Sequence, residues 1–251
     1  MSEIFPNPTV QQVIFQINFP TLFSIENKIG DIQEKIITKF PESNLLYGRQ
    51  LLFADIGPEG KLEKIPDDFE RLGNKMWQFN SPLKYKLNVL NNSLSIISEF
   101  HKTYNNSKSS NKFRDIIDYV LKNFFEVIPI PLVKRVGLRY IDECPIPDKN
   151  NEVLTSWYNT TFPITRYPIN NAEQMLFITV TKKEGYNYVY REELLKKDSE
   201  YKLKLDFDCS ALDIDKNDIL RITDNLHDII SKEFFSIIKE PVKEWMRKEK
   251  T

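Results

Sequence analysis

Ten residues near the middle of the chain, VKRVGLRYID at 133–142, constrain the fold most. Polar and apolar residues alternate through them, which is the two-residue period of a strand with one buried face. Val136, Leu138 and Tyr140 fall on one face, and Arg135, Gly137 and Arg139 on the other. Two guanidinium groups therefore flank a residue that has no side chain. Such a face is either charged and solvated or the floor of a binding site. The second strong signal is the tail, where Ile219, Ile222, Leu226, Ile230, Phe234 and Ile237 recur at helical spacing and predict a long amphipathic helix.

The same two periodicities divide the rest of the chain. In VQQVIFQINF, after Asn7-Pro8-Thr9, residues Val13, Phe15, Ile17 and Phe19 alternate and predict a strand. Ser24 stands where it would cap a helix bearing Ile25, Ile29, Ile32, Ile36 and Phe40, which Pro41 stops. A strand is expected at 50–55, followed by an irregular loop marked by Gly57, Pro58, Gly60, Pro66 and Gly73. Short strands at 76–80, 85–89 and 94–100 form a meander, turned by Ser81-Pro82 and by Asn91-Asn92, a pair that tolerates positive φ. After the polar stretch 105–112, Phe113, Ile116, Ile117, Val120, Leu121 and Phe124 predict a helix, ended by Ile128-Pro129-Ile130-Pro131.

Beyond the central strand, a short helix is expected at 152–158 and strands at 173–182, 186–194 and 201–210. Gly185 and then Lys197-Asp198-Ser199 supply the turns. Asp213 or Asp215 caps the closing helix, and Pro241 bends or restarts it. Each half, 1–128 and 129–251, thus reads as strand, helix, antiparallel strands, helix. The class is α+β, with a curved antiparallel sheet covered by helices on one face. The element order is similar to that of the two-repeat saddle of TATA-binding proteins, an analogy of fold without functional force. The halves share one continuous sheet or, alternatively, are two domains joined at 105–112.

Charge and residue counts exclude several classes. A formal net charge of -1 gives no global attraction to nucleic acid or to an acidic membrane, so a basic patch must be argued locally. Two cysteines, Cys144 and Cys209, make no disulfide scaffold and read as free thiols of a reducing compartment. The start, MSEIFPNP, lacks the pattern of a signal peptide, and no apolar run is long enough to span a bilayer, so a cytoplasmic protein without membrane contact is expected. His101 and His227 are isolated from any zinc pattern or nucleophile motif; His227 falls at the edge of the closing helix's apolar stripe, where it packs or hydrogen-bonds. No cofactor is expected, because the seven glycines form no phosphate-binding loop.

Three constellations carry candidate chemistry. Arg135 and Arg139 suit a phosphate or carboxylate, with Gly137 giving a ligand close access to the backbone or making room for a bulky neighbour. Asp206 and Asp208 stand side by side on the polar face of their strand. They either hold a metal ion or pair with lysines or with Arg135 and Arg139 across the sheet. Tyr186, Tyr188 and Tyr190 alternate along one strand near Lys182, Lys183 and Arg191, as does an aromatic surface that stacks bases. The same stripe is equally the core face beneath the long helix, with Val189 deciding between them. Trp77, Tyr85, Trp157, Tyr158 and Tyr167 also read as surface aromatics.

Taken together, NPTVQQVIFQINF at the start, VKRVGLRYID at the centre and DNLHDIISKEFFSIIKEPVKEWM at the end resemble a sporadically distributed family of bacterial and archaeal proteins of about this length. Family members usually open with NPPI and an acidic residue in the strand, where this chain has Asn7-Pro8-Thr9-Val10 and then Gln11-Gln12. The resemblance implies fold boundaries and brings no activity, catalytic residue or cofactor. Two function classes follow. One is a non-enzymatic interaction protein that docks a partner protein through a sheet face or the C-terminal helix. The other is a binder of nucleic acid or a nucleotide through Arg135, Arg139 and the tyrosine strand, with hydrolysis if Asp206 and Asp208 hold a metal.

Overall fold

The computed structural model describes residues 3–48, 74–130, 132–197 and 200–249. The strand expected at 50–55 and the glycine- and proline-marked loop after it lie outside these residues. Within them the protein is α+β, with one antiparallel sheet of nine strands and five α-helices.

The first part of the chain contributes β1 (Val10–Asn18), α1 (Ile25–Ile36), β2 (Glu42–Gly48), β3 (Asn74–Asn80), β4 (Tyr85–Leu90), β5 (Ser93–Ser98) and α2 (Phe113–Val127). Then come β6 (Val133–Pro145), α3 (Asn151–Trp157), β7 (Met175–Lys183), β8 (Tyr186–Lys197), β9 (Glu200–Ile214), α4 (Ile219–Ile237) and α5 (Glu240–Arg247). The order across the sheet is β2-β3-β4-β5-β1-β6-β9-β8-β7. β1 and β6 therefore lie side by side at the centre, and β2 and β7 form the edges.

Alternation assigns the faces. Leu87, Ile96, Phe15, Leu138, Cys209 and Tyr188 stand directly opposite one another on successive strands, and all six are buried. This row marks the apolar face, on which the helices close the core. From α4, Phe234 meets Phe207 edge-on, and His227 reaches Tyr140; from α2, Phe124 packs on Phe19. The six apolar residues read along 113–124 are all buried in α2, as the helical period requires.

Several details differ from expectation. β2 occupies 42–48, a stretch that Pro41 and the weak pattern ESNLLYG disguise. Ser24 sits at the first turn of α1 with helical backbone angles and makes no capping hydrogen bond. Asp215 does cap, accepting from the Asn217 amide, but it serves the short 3-10 turn Lys216–Asp218 that precedes α4. Asn91 and Asn92 turn without positive φ; the left-handed residues among those described are instead Lys84 at φ 55°, Asp213 at 53° near the end of β9, and the pair Glu184 and Gly185 at 51° and 86°. With Lys183 opposite Tyr186, Glu184 and Gly185 make the two-residue mirror-image turn that suits the twist of a hairpin. Pro241 opens α5, where its missing amide hydrogen costs nothing. Trp77, Tyr85 and Tyr158, which read as surface aromatics, are core residues, whereas Tyr167 is exposed.

Because Leu138 lies in the central row and Leu212 on the opposite face is exposed, their truncations should differ sharply. Leu138→Ala is expected to lower unfolding free energy in urea by about 3 kcal/mol and Leu212→Ala by less than about 0.5. Equal losses would contradict the face assignment.

Candidate functional site

The polar face of the sheet carries the charged residues singled out above. Arg139 donates from Nε and Nη2 to the two oxygens of Asp206 at 2.7 and 2.6 Å, a forked pair across β6 and β9. Arg191 on β8 reaches the same carboxylate at 3.4 Å. Asp206 is almost wholly buried among them. Arg135 donates to Asp208 at 3.1 Å and to the Gln16 side chain at 3.4 Å. Its guanidinium lies over Gly137, where an added Cβ would meet Nη1 at 2.5 Å. The glycine thus makes room for a neighbour, and the space above its backbone is filled by Arg135. Asp206 and Asp208 both serve guanidinium groups, so the two carboxylates and three arginines form an internal charge network.

The tyrosines are elsewhere. Tyr188 is opposite Cys209 and Tyr190 opposite Phe207, which puts them on the helix-covered face; both are buried, and Tyr186 accepts a hydrogen bond from Asn225 of α4. Arg135, Gly137 and Arg139 stand on the other side of the sheet. The structure therefore does not bring the arginines and the tyrosine strand into one site. Val189 is the residue that shares the arginine face. Burial raises the phenols of Tyr188 and Tyr190 well above the usual range, which suits packing.

Toward β7 the arginine face becomes apolar and open. Leu176, Ile178 and Val180 point the same way along this edge strand and are 56%, 41% and 60% exposed. β7 pairs only with β8, so its outer row of backbone donors and acceptors has no strand beside it among the described residues. Lys182 and Lys183 close its end.

A second concavity lies on the helix side, and sequence reasoning missed it. A cleft of about 460 Å³ opens between the N-terminal segment 3–10, the loop 102–106, the end of β6, and α4. Asp142 lies in it, buried, accepting from Thr9 Oγ1 at 2.8 Å. Lys102 donates from Nζ to the Val10 carbonyl at 2.7 Å. His227 stacks on Tyr104 with ring centroids 4.3 Å apart, and its Nδ1 is 3.1 Å from the Tyr140 hydroxyl. Asp224 is held by Arg114 at 2.7 and 3.0 Å and by Tyr104 at 2.7 Å. One sequence signal pointed here: Asp142 continues the inward series Val136, Leu138, Tyr140, and a carboxylate at an inward position needs a reason.

His101, by contrast, is purely internal. It is buried against Tyr85, Phe100 and Phe113, with Nδ1 2.7 Å from Ser98 Oγ. Among the described residues no group of three or more His, Cys, Asp or Glu side chains is arranged to hold a metal ion. No helix among them is long and apolar enough to cross a membrane. Comparison with protein-family models, with curated proteins and with solved structures yields no match.

Burial raises the Asp142 carboxyl to about 7, against the Thr9 hydrogen bond and the charge of Lys102 and with help from Asp206 behind it. Its ordinary value is 3.8. Between those values the unfolded chain has lost the proton while the folded chain keeps it. The associated stability is therefore full below pH 3.8 and is lost as pH rises toward 7. His101 and His227 work the other way, since burial lowers both to about 4 from 6.5; their contribution is full above 6.5 and falls away as pH drops through 4. Besides Lys102 and Asp206, Tyr140 and Cys144 feel the charge of Asp142, and Glu3, Tyr104, Asp224, His227 and Asp228 line the same cleft. Urea titrations of Asp142→Asn should match the natural protein near pH 4 and exceed its stability by about 1–3 kcal/mol at pH 8. A difference that does not change with pH would mean that Asp142 titrates normally.

Proposed function

We propose that this chain is a non-enzymatic interaction protein, which docks a partner protein on the open apolar end of its sheet with β7 as the strand to which the partner adds. The observation that carries the reading is the exposure of Leu176, Ile178 and Val180 on an edge strand of nine residues. Soluble proteins blunt such edges or cover them, because unpaired strand backbone beside apolar side chains recruits another chain. The C-terminal helix is the weaker docking surface. Ile219, Ile222, Leu226, Ile230 and Ile237 of α4 are already buried against the sheet.

The internal charge network weakens the alternative of an anionic ligand at Arg135 and Arg139. Each guanidinium already has a carboxylate, and an incoming phosphate would have to displace it. Asp206 and Asp208 are likewise committed before any metal arrives. We also read the chain as two topologically similar halves, 1–128 and 129–251, arranged as in the saddle of TATA-binding proteins. The strand order, β1 and β6 at the centre with the remaining strands of each half outward, supports this. The two buried free thiols, Cys144 and Cys209, fit a cytoplasmic location. The resemblance to the sporadically distributed bacterial and archaeal family supports the same boundaries and leaves the partner to be identified by experiment.

The test uses the full chain immobilised, a partner captured from extract, and reassembly with that partner after purification. The complex should persist in about 0.5 M NaCl, since apolar docking is little screened. Ile178→Lys with Val180→Lys should abolish it without lowering the melting temperature, while Arg135→Ala with Arg139→Ala should leave it intact. A complex that dissolves in salt and depends only on the arginines would replace this reading with anionic-ligand binding. A complex indifferent to both pairs of substitutions would reject β7 as the docking edge.

A further inference from the structure

The helix-side cleft has the composition of a small-molecule site: a concave volume of about 460 Å³, aromatic walls, and a few convergent polar groups. Its charge is lopsided. Four carboxylates line it, from Glu3, Asp142, Asp224 and Asp228, against one ammonium, that of Lys102. Two of the four are neutralised within the protein: Glu3 by Arg247 at 2.8 Å and Asp224 by Arg114. Asp142 and Asp228 are left. Asp142 accepts a hydrogen bond from the neutral Thr9 hydroxyl, and Asp228, exposed on α4, acts on the neighbouring His227 through its charge. Lys102 lies close enough to act on Asp142 electrostatically, but its ammonium is bound to the Val10 carbonyl.

The apolar wall faces these groups. Phe5 and Phe235 have ring centroids 6.3 Å apart, and Phe235 meets Phe234 edge-on at 5.4 Å, so three rings join into one surface. Phe235 is itself 39% exposed. Aromatic faces attract cations, and they also shelter the hydrocarbon body that such a cation carries.

We propose that this cleft binds an organic monocation, an ammonium group on an aromatic or alkyl body, with Asp142 and Asp228 as counter-charges and Phe5, Phe234 and Phe235 as the wall for the body. An organic anion of the same shape would meet two carboxylates offset only in part by Lys102 and is disfavoured. The cleft is on the opposite side of the sheet from the arginine face, so this site stands or falls independently of partner docking at β7.

Calorimetric titration of the full chain with matched probes at pH 8.5, where the Asp142 carboxyl of the folded chain has lost its proton, tests the assignment. Phenethylammonium and hexylammonium are the cations; phenylacetate and hexanoate are the anions of like shape. The cations should bind with Kd below about 1 mM and the anions at least about tenfold more weakly. Asp142→Asn and Asp228→Asn should each weaken cation binding by about tenfold. Should Asp142→Asn fail to fold, Asp228→Asn decides, because Asp228 is exposed and its truncation removes no buried contact. The assignment is overturned if neither ammonium binds, if cations and anions bind alike, or if the folded variants retain full affinity.

Discussion

The pairing of β1 with β6 is the contact on which the rest of the structure depends. It runs from Val10 opposite Asp142 to Asn18 opposite Arg135, and it joins the strands drawn from the first part of the chain to those drawn from the second. Phe15 and Leu138 face each other in it and are completely buried, so its register is fixed by burial. A slip of one residue would turn Phe15 and Leu138 outward and bring Arg139 and Gln16 beneath the helices. Because every other strand is placed by adding outward from this pair, an error there would propagate to both edges.

The two faces then acquire different physics from the same alternation. One side gathers the aromatic and aliphatic row from Leu87 to Tyr188 and is closed by α2 and α4. On the other, Asp206 is nearly buried without a helix over it, because Arg139 and Arg191 enclose it from neighbouring strands. Removing Asp206 or Asp208 would leave guanidinium groups without their carboxylate, which accounts for the arginines and aspartates standing together on β6 and β9. The network is satisfied from within, so the surfaces proposed for binding are the β7 edge and the helix-side cleft.

Much of this was legible in the sequence, and the failures have physical causes. Alternation at 133–142 and helical spacing at 113–124 survive intact because each concerns one element and its burial. The pairing of Asp206 and Asp208 with arginines across the sheet was one of two readings, and only register could choose. Likewise the tyrosines of β8 alternate whichever side they face; it is the pairing of Tyr188 with Cys209 and of Tyr190 with Phe207 that sends them inward. β2 escaped because an edge strand with exposed Leu45, Leu46 and Tyr47 has no buried face to impose a period. The cleft escaped because its walls come from residues 3–10, 102–106, 140–142 and 224–235, which only the fold assembles.

Hydrogen exchange of the free protein, resolved along the chain, tests most directly whether β7 is an open edge on a sheet organised about β1 and β6. The account predicts that amides of β1 and β6 exchange last, and that alternate amides of β7, those directed away from β8, exchange on the timescale of exposed loops. Protection across the whole of β7 comparable with that of β6 would show the edge to be already covered in the free protein, and would contradict its assignment as the docking strand.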